Sequence, residues 1–328
     1  MYFARFINTV FNKAFYIIRS RKKEIIWATD YVKKIEQSFH GKFDDATFKK
    51  IVNSYAIYNP MMCDAFTLLH GRLTNKEERE RMLHYFICSS LFDNFCDRKE
   101  LKKDELLEIS FRPRHYQTKN FDETVFLASH LKLKNYVKDQ AYYDEVTHKL
   151  YNAQIDSAKQ FDGNISEDEL KHITFSKGGY SVLLCSFYLD VDTSEAEKQC
   201  WYRIGSIIQL TNDLFDIYKD LQDGSETLAT RMQNAYAFEQ FFLRLTDDVK
   251  KEINLIECPI SEKQNFKISM MGICAFGLIA LQQLKQLQGT ALALPDFKEV
   301  PRKDLIVDME KSKNLWLWIK LVYHHSKQ

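Results

Sequence analysis

The sequence predicts an all-α protein, and three observations carry that expectation. The chain holds only 10 Gly and 5 Pro in 328 residues, less than half the usual share of about 12%. Sandwiches, barrels and propellers need a turn about every ten residues, and turns lean on those two residue types. Apolar residues recur at helical spacing almost throughout, without internal repeats or low-complexity stretches. Hydrophobic residues make up 45% of the chain and aromatic residues 14%, which excludes a disordered or collagenous polymer and predicts a well-filled interior.

The periodicity predicts helices over 4–20, 24–38, 44–57, 60–71, 75–97, 102–108, 122–133, 138–162, 167–189, 194–221, 233–254, 262–288 and 311–325. In the first, Phe3, Phe6, Ile7, Val10, Phe11, Ala14, Ile17 and Ile18 fall at helical spacing. Ser166-Glu167-Asp168-Glu169, led in by Asn164-Ile165, has the form of a capping box, in which Ser and Glu satisfy each other's backbone N–H groups. Gly289 suits the position just past the end of an apolar helix. The irregular stretches are 109–121, with Arg112-Pro113-Arg114, and 288–301. Neither is long enough for a domain linker. The expected organisation is a basic amphipathic helix over 1–23 and one α domain over 24–328.

Charge is balanced, with 46 basic against 45 acidic residues, so no cationic face for nucleic acid is expected. Cys63, Cys88, Cys96, Cys185, Cys200, Cys258 and Cys274 show no C-x-x-C spacing and read as reduced, cytoplasmic thiols. No zinc-ligand cluster, GxGxxG or GxxxxGK occurs, so a nucleotide-binding fold is not indicated. Residues 1–23 hold six Lys or Arg and no acidic residue. Basic residues interrupt the apolar run, so it is neither a secretory signal nor a bilayer span. It reads as a first helix packed on the body, or as one lying on a membrane surface with its basic groups toward anionic lipid.

Chemistry begins at Asp93-Asn94-Phe95-Cys96-Asp97. On a helix Asp93 and Asp97 lie about 40° apart, and Met82, Phe86, Ser89 and Ser90 fall in the same arc of about 100°. Carboxylates on a core-facing stripe are costly unless they are paired or bind a cation; the alternative is a helix that emerges into solvent at its end. The second acidic segment is Asn212-Asp213-Leu214-Phe215-Asp216-Ile217-Tyr218-Lys219-Asp220. Asn212, Asp216 and Asp220 share one stripe, preceded on it by Gly205 and Gln209. Oxygen ligands on one helical face suit Mg²⁺, which keeps several waters and partners substrate phosphates. If the two segments faced each other across a bundle, they would clamp a metal–diphosphate.

These residues resemble the class I terpenoid synthases, the all-α family of terpene cyclases and trans-prenyltransferases. Asp93-Asn94-x-x-Asp97 is similar to the family's aspartate-rich first motif. Asn212-Asp213-x-x-Asp216-x-x-Lys219-Asp220 resembles the cyclase second motif, with Asp216 where Ser or Thr is usual. The run from Leu91 to Arg98 also looks like the aspartate-rich segment of the large-terpene (tetraprenyl-β-curcumene) synthases, whose earlier Asp falls here on Ser90. The resemblance covers the order and spacing of motifs over roughly 75–325.

The resemblance implies a helical bundle with a central active-site cavity. It also implies three Mg²⁺ ions held by Asp93, Asp97, Asn212, Asp216 and Asp220, and a linear prenyl diphosphate of C15 or longer as substrate. Lys177-Gly178-Gly179 puts two glycines inside a helix, at a cost of about 2 kcal/mol against Ala. They read either as a helix break, which in this family lies beside the departing diphosphate, or as close packing against a neighbour. Lys177 is therefore a candidate diphosphate ligand, with Arg98, Lys219, Arg231, Lys320 and Tyr323. Arg112 and Arg114 could close over the site. Phe86, Tyr180, Phe276 and Trp316 are candidate cavity aromatics, because ring faces stabilise a carbocation. The expected protein is a cytoplasmic or membrane-peripheral monomer or homodimer. The rival readings are a squalene- or phytoene-synthase-like enzyme coupling two prenyl diphosphates, and a non-catalytic helical binding protein retaining the fold.

Overall fold

The computed structural model describes the backbone of residues 2–327 and the side chains of residues 6–327; Phe3 of the amino-terminal periodicity has its side chain outside the described residues. The described residues form helices and no strand, in agreement with the expected all-α class. In order they are α1 (Tyr2–Ser38), α2 (Asp45–Tyr58), α3 (Asp64–Thr67), α4 (Lys76–Asp97), α5 (Lys103–Phe111), α6 (Phe121–Tyr136) and α7 (Gln140–Asp156). There follow α8 (Glu167–Leu184), α9 (Glu195–Phe215), α10 (Ile217–Asp223), α11 (Ala235–Leu255), α12 (Ile260–Gln288), α13 (Arg302–Leu305) and α14 (Ser312–Lys327).

Three places differ from the periodicity. The two helices expected over 4–20 and 24–38 are the single α1, since the intervening Arg and Lys residues favour helix and no Gly or Pro interrupts them. The helix expected over 60–71 is a π-helical turn at Asn59–Cys63, a short α3 and a 3₁₀ turn, with Pro60 unable to donate a backbone hydrogen bond. The helix expected over 194–221 is interrupted at Asp216, with φ −98° and ψ 9°. Conversely α8 runs unbroken through Gly178 and Gly179, so packing rather than a break accounts for these glycines. The capping box at Ser166 and Glu169 forms, as do two others, Asn75 with Glu78 and Ser194 with Glu197. Gly289 ends α12 with φ 57°.

The chain folds into two compact units. One comprises Phe11–Glu145 and Phe187–Val191; the other comprises the residues up to Val10, Val146–Ser186 and those from Asp192 onward. In the first, α4 packs against α2 and α6 around fully buried Ile51, Tyr55, Met62, Phe66, Met82, Leu83, Ile87 and Phe95. Each such side chain contributes about 1.5–3 kcal/mol by leaving water. Glu78, at the start of α4, is also fully buried. Both its oxygens accept from Arg72, at 2.7 Å each, and it accepts further from the Asn75 N–H (2.7 Å) and the Asp190 N–H (2.6 Å). Burial alone would raise its pKa, but Arg72 and these backbone donors hold it below the usual carboxylate value.

In the second unit α9 packs against α8, α11 and α12, and α12 packs against α14. Trp201, Ile204, Phe242, Met270 and Leu281 are fully buried. α12 is long and apolar enough by composition to cross a bilayer, yet 78% of its most apolar window is buried inside the structure, as in the core helix of a globular unit. None of the seven cysteines forms a disulfide.

Candidate functional site

The second acidic segment owes its geometry to a close approach of α8 and α9. A Cβ placed on Gly178 would lie 2.4 Å from the Gly205 carbonyl oxygen, and one on Gly205 would lie 2.4 Å from the Gly178 carbonyl oxygen. A Cβ on Gly179 would meet the Tyr202 ring at 2.4 Å. Only glycine lets the helices come this close, and Ser206 Oγ then donates to the Phe175 carbonyl across the seam at 3.0 Å. Near this contact, Thr174 on α8 and Asp213 on α9 come within reach. Thr174 Oγ1 donates to Asp213 Oδ2 at 3.4 Å, and Gln209 Nε2 donates to Asp213 Oδ1 at 2.9 Å.

At Asp216 the chain pauses between α9 and α10 but keeps two helical hydrogen bonds. Asp216 N–H donates to the Asn212 carbonyl at 2.9 Å, and Asp220 N–H to the Asp216 carbonyl at 2.8 Å. Gly224, with φ 72°, ends α10. Asp213, Asp216 and Asp220, at i, i+3 and i+7, lie close enough across this pause for Asp216 to act on Asp213, and for both to act on Asp220. Asp213 is buried, Asp220 half-buried and Asp216 exposed. Asp220 is pushed up to about 7, first by burial and then by Asp213 and Asp216, with Lys219 opposing and Asp223 adding to the rise. Asp213 is pushed up to about 6, mainly by burial, against the lowering effects of Gln209, Lys177 and Thr174. Asp213 and Asp220 thus hold protons closer to neutral pH than ordinary carboxylates do, and Lys177 is the basic residue from α8 that acts on Asp213.

Periodicity selected Asn212, Asp216 and Asp220; the structure makes Asp213 the inward member and leaves Asn212 exposed. The i, i+3, i+7 spacing was present as an equal alternative in the sequence. Among the described residues no group of three His, Cys, Asp or Glu side chains is arranged to hold a metal ion. Asp216 and Asp220 nevertheless reach solvent beside a buried acid.

The first acidic segment closes α4. Asp93 accepts from Lys50 Nζ at 3.0 Å. Asn94 is buried and donates through Nδ2 to Thr47 Oγ1 at 2.7 Å. Asp97, the last residue of the helix, is exposed, at an end where the helix dipole disfavours negative charge. Arg98 lies beyond it and pairs with Asp44 at 2.8 Å.

The remaining candidates have the following surroundings. Lys177 is half-buried and Lys219 exposed. Arg231 donates to the Ile165 carbonyl at 2.5 Å and pairs with Glu226 at 3.4 Å. It also lines a cavity of about 660 Å³ with Lys171, Phe238, Phe241 and Arg244. Lys320 is exposed on α14, while Tyr323 packs edge-on against Phe6 at 5.0 Å. Arg112 and Arg114 are exposed after α5. Phe86 is buried in a ring cluster with Tyr58 and Tyr85, each at 5.3 Å. Tyr180 lies 4.8 Å from the Tyr202 ring, with Lys149 5.5 Å from its centre. Phe276 lies 6.0 Å from Trp318, whose indole donates to the Gly272 carbonyl at 2.8 Å. Trp316 is 68% exposed, so Trp318 is the indole on the packed side of α14.

No protein-family model matches the chain, and no curated protein matches it.

Proposed function

We propose that the chain is a Mg²⁺-dependent class I terpene synthase: it ionises a linear prenyl diphosphate of C15 or longer and cyclises or deprotonates the carbocation, releasing diphosphate. The observation that carries this reading is the acidic stripe Asp213, Asp216 and Asp220. Burial, and after it the neighbouring carboxylates, raise the proton affinity of Asp220 and Asp213, and a divalent cation would relieve the repulsion among them. Mg²⁺ needs one or two carboxylates and completes its shell with water and phosphate oxygens. Two solvent-reaching carboxylates beside a buried acid suit that requirement without a preformed protein cage.

In this reading Asn212, Asp216 and Asp220 hold the metal, with Asp93 and Asp97 as ligands in the first motif, where Asp93 exchanges Lys50 for a cation. Three ions held by these residues would supply positive charge for the departing diphosphate. Asp213 keeps the α9–α10 run in register through Thr174 and Gln209. Lys177 and Lys219 bind phosphate oxygens. The reading also includes a central active-site cavity walled by aromatic residues, and a cytoplasmic location.

The test is incubation of purified protein with Mg²⁺ and geranyl, farnesyl, geranylgeranyl and longer diphosphates, with mass-spectrometric detection of products. A terpene of unchanged carbon number is expected, with Asp216→Ala and Asp220→Ala each at least a hundredfold slower. No turnover of any substrate would refute the proposal. A product of doubled carbon number would point instead to squalene- or phytoene-synthase-like coupling, which the Asp216-x-x-x-Asp220 pairing on one helical run also suits. A non-catalytic protein would lack Mg²⁺-dependent protection against heating by a bisphosphonate, since only a working clamp gains that stabilisation.

A further inference from the structure

α1 has two apolar faces, and only one of them is used inside the fold. Phe6, Val10, Ala28, Val32 and Ile35 are buried, together with Glu24, and at helical pitch they occupy an arc of about 80°. A second set consists of Phe11 (58% exposed), Phe15 (66%), Ile18 (59%) and Ile26 (66%). These positions, with Lys22 among them, fall in a separate arc of about 80° and run for about 22 Å along the helix. Large apolar side chains repeated along one side of a helix, each more than half exposed, lose free energy to water and gain it wherever water is excluded.

The charges around this stripe choose the occupant. Arg19, Arg21, Lys22 and Lys23 are all exposed, and no Asp or Glu occurs before Glu24, which is itself buried. A protein partner would have to match four closely spaced cations with acidic side chains at fixed positions. An anionic lipid surface offers the same charge as a mobile layer and takes bulky apolar side chains at its acyl boundary. We propose that α1 docks the protein on anionic membranes, with Phe11, Phe15 and Ile18 entering the interface and Arg19, Arg21, Lys22 and Lys23 meeting lipid phosphates. The packed face, through Phe6 and Val10, keeps α1 tied to the protein while the second face, about 120° around the helix, is offered outward.

The experiment is co-sedimentation of the full chain with vesicles of phosphatidylcholine alone and of phosphatidylcholine with phosphatidylglycerol, without substrate, so that it is independent of catalysis. Binding to the anionic vesicles is expected to be at least tenfold tighter than to the neutral ones, and to weaken as salt is added. Phe11→Ser with Phe15→Ser, and separately Lys22→Glu with Lys23→Glu, should each reduce binding to anionic vesicles at least tenfold. Both pairs are exposed, so circular dichroism and the melting temperature should stay as in the parent. The proposal is overturned if the parent protein remains in the supernatant with anionic vesicles, or if the Phe11→Ser, Phe15→Ser variant sediments as the parent does. It is also overturned if the stripe instead supports a concentration-dependent dimer that this variant abolishes while the parent ignores vesicles.

Discussion

Gly178 and Gly205 meet backbone to backbone, each occupying space that a Cβ of the other would need. The contact sets the spacing of α8 and α9, and Thr174 reaches Asp213 from that spacing. Adding a methyl to either glycine should force the helices apart, because the atoms it meets include backbone that cannot swing away. Gly205→Ala is expected to destabilise the protein by about 1–3 kcal/mol, the usual penalty of overpacking, despite Ala being the better helix former. Urea unfolding measures this. An unchanged or raised midpoint would mean that the seam can open without loss.

The two raised acids make a prediction about pH. Asp213 is pushed up to about 6 and Asp220 to about 7, while an unfolded Asp titrates near 3.9. Between these values the native state holds protons that the unfolded chain has released. Their stabilising contribution is therefore full below about pH 4 and is lost as pH rises through 6–7. Asp220→Asn removes the charge that must otherwise be forced into the site. At pH 8 without divalent ions the variant should melt about 1–2 °C above the parent, the shift of roughly 1 kcal/mol in a protein of this size. At pH 5 the difference should shrink. Millimolar Mg²⁺ at pH 8 should raise the parent's melting temperature and leave the variant's unchanged. A difference between parent and variant that does not depend on pH would refute the electrostatic account.

Glu78 tests the other kind of buried acid, one that is fully compensated. Its carboxylate sits between Arg72 and two backbone N–H groups, so truncation leaves a cation and buried donors without an acceptor. Glu78→Ala should cost about 3–5 kcal/mol, as does breaking a buried pair by removing one partner. Arg72→Ala should also be destabilising. The double variant should lose less than the sum of the two, since each single change already breaks the same interaction. Additive losses would show that the pair is not coupled.

The sequence makes some of this legible and conceals the rest for identifiable reasons. The Ser166–Glu169 capping box, the helical periodicity and the scarcity of Gly and Pro are local signals, and the all-α class follows from the last two. The glycines at 178 and 179 announce a cost, but a helix break and a close approach are equally costly to a lone helix. Choosing between them requires Gly205 on another element. Asn212 and Asp213 are adjacent, and each completes an acidic stripe with Asp216 and Asp220. The inward member is chosen by Thr174 on α8, which no periodicity within α9 can report. The pause at Asp216 has no Gly or Pro to mark it. Trp316 and Trp318 are likewise equivalent in a local reading, and the Gly272 carbonyl on α12 selects Trp318.

The Lys50–Asp93 pair separates a structural from a ligand role for the first acidic segment. Both side chains are partly exposed, at 40% and 31%, and such pairs contribute about 0–1 kcal/mol. Lys50→Met should therefore shift the melting temperature by no more than about 1–2 °C. If Asp93 serves as a metal ligand, losing its internal cation should make it more available. The Mg²⁺ concentration for half-maximal turnover should then fall, by about threefold to tenfold, while kcat at saturating metal stays near the parent value. Asp93→Asn should move the requirement the other way. A Lys50→Met variant with unchanged Mg²⁺ dependence would mean that Asp93 acts only as the surface partner of Lys50, and the metal chemistry would then rest on the α9–α10 carboxylates without it.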